Sequence, residues 1–218
     1  MRWLRSSDII ASLIFGALLL VAIALWTLSI SSHEDWQYSV LYTDLPEVSG
    51  LQSHDNSIYV TLETRNYDGK LVSIVDGNRS TVVSGLQKPD GLTTSLGSLV
   101  YTQEFGESPV YEVINGVPHG LFITDCAEGI DSTLNGDLYV VEDRLGGRVL
   151  KYERTTGKIS ELATDLESGE GICAMESGVV YFSERDKGIV YKIQDGEISE
   201  YLTALNSPGF LLCDDESQ

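Results

Sequence analysis

The feature that most constrains this chain is that it resembles itself. The stretch "GDLYVVEDRLGGRVLKYERTTGK" (Gly136 to Lys158) is echoed by "SGVVYFSERDKGIVYKIQDGE" (Ser177 to Glu197). Both run from a small residue through an aliphatic–Tyr pair, a Glu, a basic residue and a Gly to a Val-containing strand and a turn. Four such units align, starting at Ser49, Asp90, Glu128 and Glu170, and a fifth begins with "PGFLLC" at Pro208. Their opening glycines are Gly50, Gly91, Gly129, Gly171 and Gly209, at spacings of 41, 38, 42 and 38 residues. Their central tyrosines are Tyr59, Tyr101, Tyr139 and Tyr181.

Each unit reads as four short strands. In the third, Gly-aliphatic opens the first strand, "LNGD" (Leu134 to Asp137) turns into "LYVVE", and Gly-bearing turns lead to "RVLKY" and "ISELA". Val, Ile, Tyr and Leu fill the strands, and Gly, Asn and Asp punctuate them. A period near forty residues with four strands per unit predicts an all-β β-propeller built from four-stranded blades. "WQYSVLYTDL" (Trp36 to Leu45) reads as an outer strand ahead of the first blade, while the last blade has only its first strand, Pro208 to Cys213. Four full blades and two fragments predict a ring that is truncated, irregularly closed or completed by a partner. Truncation is the favoured expectation, because an open arc leaves blade faces uncovered.

The propeller is preceded by "IIASLIFGALLLVAIALWTLSI", 22 uncharged residues from Ile9 to Ile30. At 1.5 Å per residue a helix of that length reaches about 33 Å, enough to cross a bilayer core. Arg2 and Arg5 precede it, and His33, Glu34 and Asp35 follow. The positive-inside rule then predicts a cytoplasmic N-terminus (1–8), a transmembrane signal anchor (9–30), a linker (31–35) and a periplasmic or extracellular propeller (36–218). The competing reading is a cleaved signal peptide, for which the apolar run is long.

The chain carries 14 Lys and Arg against 33 Asp and Glu, a net charge of −19. That balance excludes nucleic acid as a partner, since phosphates need a basic surface. It fits divalent cations or basic protein partners, and equally plain solubility. Cys126, Cys173 and Cys213 match no zinc spacing. One disulfide with one free thiol, and three buried unpaired cysteines, both remain open.

The blade openings "KPDGL" (Lys88 to Leu92), "AEGI" (Ala127 to Ile130) and "GEGI" (Gly169 to Ile172) resemble those of six-bladed propellers, as do the "LYV-x-E" and "Gly-x-Val-x-Lys-Tyr" strands. The group includes gluconolactonase/regucalcin-like, strictosidine synthase-like, paraoxonase and NHL-repeat proteins. The resemblance covers residues 36–213. It implies the propeller fold and, for the enzymes of the group, a calcium ion in the central channel and hydrolysis of lactones or esters; other members are scaffolds.

In a propeller the segment entering strand one and the loop between strands two and three share a face. An inner set of acids, Asp90, Glu128 and Glu170, each directly precedes an opening Gly. Converging carboxylates suit a hard cation, so these three are the expected metal ligands, with Ca2+ as the cofactor. Glu128 or Glu170 is the expected catalytic base. The alternative for each is a hydrogen-bonded acid that merely pins the blade opening. An outer set, Glu104, Glu142 and Glu184, ends the second strands, with Glu63 one residue out of register; nearby Arg144 and Arg185 make structural ion pairs the expectation there. Departures from the enzyme pattern are Ser49 where the resemblance implies a Glu, no clear Asn ligand beyond Asn206, and histidines (His33, His54, His119) away from the channel mouth. The leading expectation is a membrane-anchored calcium-dependent hydrolase of lactones or esters. The alternatives are a non-catalytic scaffold docking on a membrane complex, and a channel that binds a soluble ligand.

Overall fold

Tight turns and alternating strands set the architecture. The computed structural model describes residues 39–213, so the expected anchor, its linker and the residues after Cys213 lie outside the described residues. Among the described residues no helix is long and apolar enough to cross a membrane. From Leu45 onward the chain forms one unit that holds every strand.

Blade one comprises β1 (Val48–His54), β2 (Ser57–Leu62), β3 (Gly69–Val75) and β4 (Asn78–Leu86). Blade two comprises β5 (Pro89–Ser95), β6 (Ser98–Gln103), β7 (Glu107–Ile114) and β8 (Val117–Asp125). Blade three comprises β9 (Ala127–Ser132), β10 (Leu138–Glu142), β11 (Gly147–Tyr152) and β12 (Ile159–Leu166). Blade four comprises β13 (Gly169–Ala174), β14 (Val180–Glu184), β15 (Ile189–Gln194) and β16 (Glu197–Leu202). Each blade is a separate antiparallel sheet in sequence order, as expected for a propeller. Two-residue hairpins such as Asp55-Asn56, Asp76-Gly77, Asn115-Gly116 and Asp195-Gly196 take positive φ at both positions, the turn whose twist matches paired strands.

The hydrophobic core lies between blades. Leu71, Val83 and Leu86 of blade one meet Leu92, Leu99 and Tyr101 of blade two. Val100, Val110 and Phe122 meet Ala127, Ile130, Leu138 and Val140 of blade three. Val149, Ala163 and Leu166 meet Ile172, Val180 and Phe182 of blade four.

The strand register corrects the repeat alignment at Tyr101. Tyr59, Tyr139 and Tyr181 pair with Gln52, Asp131 and Cys173, whereas Tyr101 pairs with Leu92, one step nearer the blade opening. Tyr101 therefore stands where Val60, Val140 and Phe182 stand, on the opposite face of the sheet. A one-residue slip inverts every side chain. The true counterpart of the other tyrosines is Val100.

The innermost strands approach backbone to backbone. A Cβ on Gly50, Gly91, Gly129 or Gly171 would collide with the carbonyl oxygen of Asp90, Glu128, Glu170 or Gly209 of the next blade. Hydroxyls latch three of the four junctions. Thr61 Oγ1 donates to the Asp90 carbonyl (2.6 Å), Thr102 Oγ1 to the Glu128 carbonyl (2.7 Å), and Ser183 Oγ to the Gly209 carbonyl (2.9 Å). At the third junction the position is Val141, fully buried in the core.

Residues 208–213 form no strand, yet they take the place of the next innermost strand. Gly171 abuts Gly209 and Phe210, and Cys173 is bonded to Cys213. Gly209 thus falls where the opening acids fall, and Phe210, not Gly209, occupies the opening-glycine position. Of the two cysteine readings, the structure has one disulfide, Cys173–Cys213, and one free thiol, Cys126.

Gly91→Ala should destabilise the fold by about 3 kcal/mol in urea unfolding, because backbone rather than a flexible side chain meets the new methyl. Gly209→Ala, with open space at its Cβ, should change stability by less than about 0.5 kcal/mol. Equal effects would contradict the packing described.

Candidate functional site

One blade face collects three positions per blade. The first lies two residues before the opening acid: Glu47, Lys88, Cys126 and Ser168. The second is the opening residue: Ser49, Asp90, Glu128 and Glu170. The third follows strand two: Glu63, Glu104, Asp143 and Arg185. A repeated hydrogen bond sets this alignment, because the N–H of Glu63, Glu104, Asp143 and Arg185 donates to the carbonyl of Glu47, Lys88, Cys126 and Ser168, at 2.7–2.9 Å. Main chain, not side-chain choice, brings these twelve residues to one face.

The side chains then sort into pairs and a remainder. The Lys88 ammonium contacts Glu104 and lies 3.2 Å from Glu63 Oε1. The Arg185 guanidinium donates to Glu170 Oε2 at 2.5 Å and lies 3.3 Å from Asp143. Ser49 Oγ donates to Asp90 Oδ1 at 2.5 Å. Asp90 Oδ2 and Glu128 Oε2 are buried and meet no N–H or hydroxyl donor, and the two carboxyls lie within hydrogen-bond reach of each other. Asp90 is 0% and Glu128 6% exposed. Burial pushes the Asp90 carboxyl up to about 7. Burial, reinforced by the negative charges of Asp90, Glu170 and Asp143, pushes Glu128 up to about 9. Burial also raises Glu170 and Asp143, against the pull of Arg185. Two buried acids this close ionise together only at a cost, so the pair keeps a proton at neutral pH.

Two groups of carboxylates place oxygens within 4.8 Å of one another: Glu63, Asp90 and Glu104, and Glu104, Glu128 and Asp143. Glu104 belongs to both. Of the three expected ligands, Asp90 and Glu128 fall in adjoining groups, while Glu170 stands outside both and is held by Arg185. The donor set fits a hard cation: all oxygen, two of the acids buried without a basic partner, and seven carboxylates on this face against two basic side chains.

The expected outer set divides. Gln103, Glu142 and Glu184 are the true counterparts, each accepting a backbone N–H, from Gln87 (2.8 Å), Asp125 (3.0 Å) and Glu167 (2.7 Å). Glu142 and Glu184 make structural ion pairs; the expected Arg144 lies 3.7 Å from Glu142, but the tighter partners are others. Arg148 grips Glu142 with two hydrogen bonds (2.7 and 2.9 Å), and Lys187 Nζ lies 2.6 Å from Glu184. Arg144 mainly meets Asp125 (3.0 Å), and Arg185 serves the inner acid Glu170. Glu104 instead belongs to the mouth, together with Glu63. Sequence reasoning gave Lys88 and Asp143 no role; a lysine two residues before an opening acid was the available signal. His54 and His119 sit near hairpins on the opposite face.

These shifts set the sign of the pH dependence. Asp90 and Glu128 bind protons more tightly folded than unfolded, so the native state holds more protons between about pH 4 and 9. Stability therefore falls as pH rises through that window. In chelator, unfolding free energy should drop by a few kcal/mol between pH 5 and pH 9. Glu128→Gln should flatten most of that slope. A parent profile that is flat or rises over this window would contradict the site's electrostatics.

No protein family and no curated protein matches the chain. Solved structures do. A virginiamycin B lyase from Staphylococcus aureus is 19% identical with a TM-score of 0.58, over 75% of this chain and 58% of that one. A protein assigned as a gluconolactonase is 13% identical with a TM-score of 0.63, over 76% and 66%. An auxiliary nutrient binding protein from Bacteroides thetaiotaomicron is 14% identical with a TM-score of 0.66, over 82% and 56%. The chain spans less than two thirds of the length of each. At these identities the likeness is one of fold, and the fold that this chain shares with lyase, gluconolactonase and nutrient-binding proteins is the β-propeller.

Proposed function

We propose that this chain is a membrane-anchored, extracytoplasmic propeller whose channel mouth binds a calcium-class cation and hydrolyses lactones or esters. The observation that carries this reading is a buried pair of acids, Asp90 and Glu128, within the carboxylate groups of the mouth, with no basic partner and only each other's carboxyl to share a proton with. An unpaired buried carboxylate is costly, and a divalent ion offsets that cost. Asp90, Glu104, Glu128 and Asp143 would hold the ion. When bound, it supplies Lewis acidity toward an ester carbonyl oxygen. Hydrolysis forms a bond from water oxygen to the acyl carbon and breaks the acyl–alkoxy bond. Glu128, free of any basic partner, would take the water proton and return it to the departing alkoxy oxygen. Glu170 is the weaker candidate base, since Arg185 already engages it.

The Cys173–Cys213 disulfide supports an oxidising compartment. The apolar run from Ile9 to Ile30, behind Arg2 and Arg5, supports a single-pass anchor with a cytoplasmic N-terminus. A second reading, a non-catalytic scaffold that docks a protein partner in a membrane complex, is favoured by one observation. Lys88 already supplies a cation to Glu63 and to Glu104, the carboxylate that both groups share.

Calcium titration of the full chain separates the two. On the first reading, calcium at a hundred times its Kd raises the melting temperature by roughly 5–10 °C. Asp90→Asn and Glu128→Gln should each abolish the shift, and Glu170→Gln should leave most of it. No shift at millimolar calcium would sink the metal-enzyme reading and leave the scaffold.

A further inference from the structure

The acids of the mouth recur as seams between blades. Each seam joins the third position of one blade to the opening residue and third position of the next. Between blades one and two these are Glu63, Asp90 and Glu104; between blades two and three they are Glu104, Glu128 and Asp143. Each of these trios holds oxygens within 4.8 Å of one another. Between blades three and four the same positions are Asp143, Glu170 and Arg185.

Two of the three seams bring their own cation. At the first, the Lys88 ammonium contacts Glu104 of blade two and lies 3.2 Å from Glu63 Oε1 of blade one. The Lys88 main chain is fixed on both sides: its N–H donates to the Thr64 carbonyl (2.9 Å), and its carbonyl accepts from the Glu104 N–H (2.9 Å). The charge is therefore tethered at the seam. At the third, the Arg185 guanidinium serves both Glu170 and Asp143. The middle seam has Cys126 in the place of Lys88, since the Asp143 N–H donates to the Cys126 carbonyl (2.8 Å). Cysteine brings no cation there. Among the described residues no basic side chain pairs with Glu128, which is 6% exposed and whose Oε2 meets no N–H or hydroxyl donor. Glu104 and Asp143 do have basic partners, but each shares its partner with an acid of the neighbouring seam.

We propose that Lys88 and Arg185 are tethered stand-ins for a cation, and that the mouth takes a single divalent ion at the seam between blades two and three, on Glu104, Glu128 and Asp143 beside Asp90. This rests on the cation reading above and adds where the ion sits, how many bind and which position decides. The side chain two residues before an opening acid either carries a charge into the seam or leaves the charge to an ion. Lys88 and Cys126 share one left-handed backbone conformation, with φ of 50° and 53°, so the backbone at either place suits either residue.

Equilibrium dialysis of the full chain in dodecyl maltoside against radiolabelled calcium counts the ions, in about 0.1 M KCl to screen the general negative charge. The parent should bind about one ion per chain. Lys88→Met keeps the stem and removes the charge, so it should bind about two, with Glu104 shared between them. Cys126→Lys should lose the ion at the calcium concentration that saturates the parent. If Cys126→Lys fails to fold, the Lys88→Met count decides alone. A count unchanged from the parent's in either folded variant overturns the seam assignment and leaves the cation reading in place. No ion on the parent removes the cation reading, and the assignment with it.

Discussion

Everything at the channel depends on one close approach, that of an opening glycine to the carbonyl of the next blade's opening residue. Gly50 meets the Asp90 carbonyl, Gly91 that of Glu128 and Gly129 that of Glu170. Without a Cβ the innermost strands pack backbone to backbone, and Thr61 and Thr102 bond the carbonyls of Asp90 and Glu128. The residue gripped by its main chain is the one whose carboxylate belongs to the mouth. Packing and site chemistry are thus two faces of one contact.

The consequence is electrostatic. Bringing opening residues this close removes water from acids that cannot move apart. Lys88 relieves Glu63 and Glu104, and Arg185 relieves Glu170 and Asp143. Asp90 and Glu128 lie between these two neutralised groups without a basic partner of their own. A fold gains nothing in stability from such a pair, which must hold a proton or meet a cation. Lys88 also shows how finely the balance is set, because its ammonium already satisfies part of what a divalent ion would.

The architecture was legible because blade repetition is a statement about hydrogen bonding and core spacing, which recur at every period. The inner acids were legible for the same reason: Asp90, Glu128 and Glu170 each precede an opening glycine that packing requires. What escaped reading depended on register or on side-chain reach. Tyr101 matched its neighbours by identity, yet it sits one step along β6, and that slip moved Glu104 from the structural acids into the mouth. Arg148 holds Glu142 more closely than the adjacent Arg144 because strand pairing sets it opposite, and Lys187 reaches Glu184 across the turn while Arg185 points to Glu170. Gly209 looked like an opening glycine, but the backbone contact assigns that position to Phe210. The pairing of Cys173 with Cys213 needed the knowledge that residues 208–213 lie along β13.

The central claim is that Asp90 and Glu128 are held buried together without a basic partner, a pair that a cation would relieve. The most direct measurement is the titration of their side-chain carboxyl carbons by NMR, without and with calcium. The account predicts that both titrate well above the ordinary carboxylate range, near pH 7 and 9, and that calcium drives both below pH 5. Ordinary titration in both conditions, or raised values that calcium leaves in place, would contradict it.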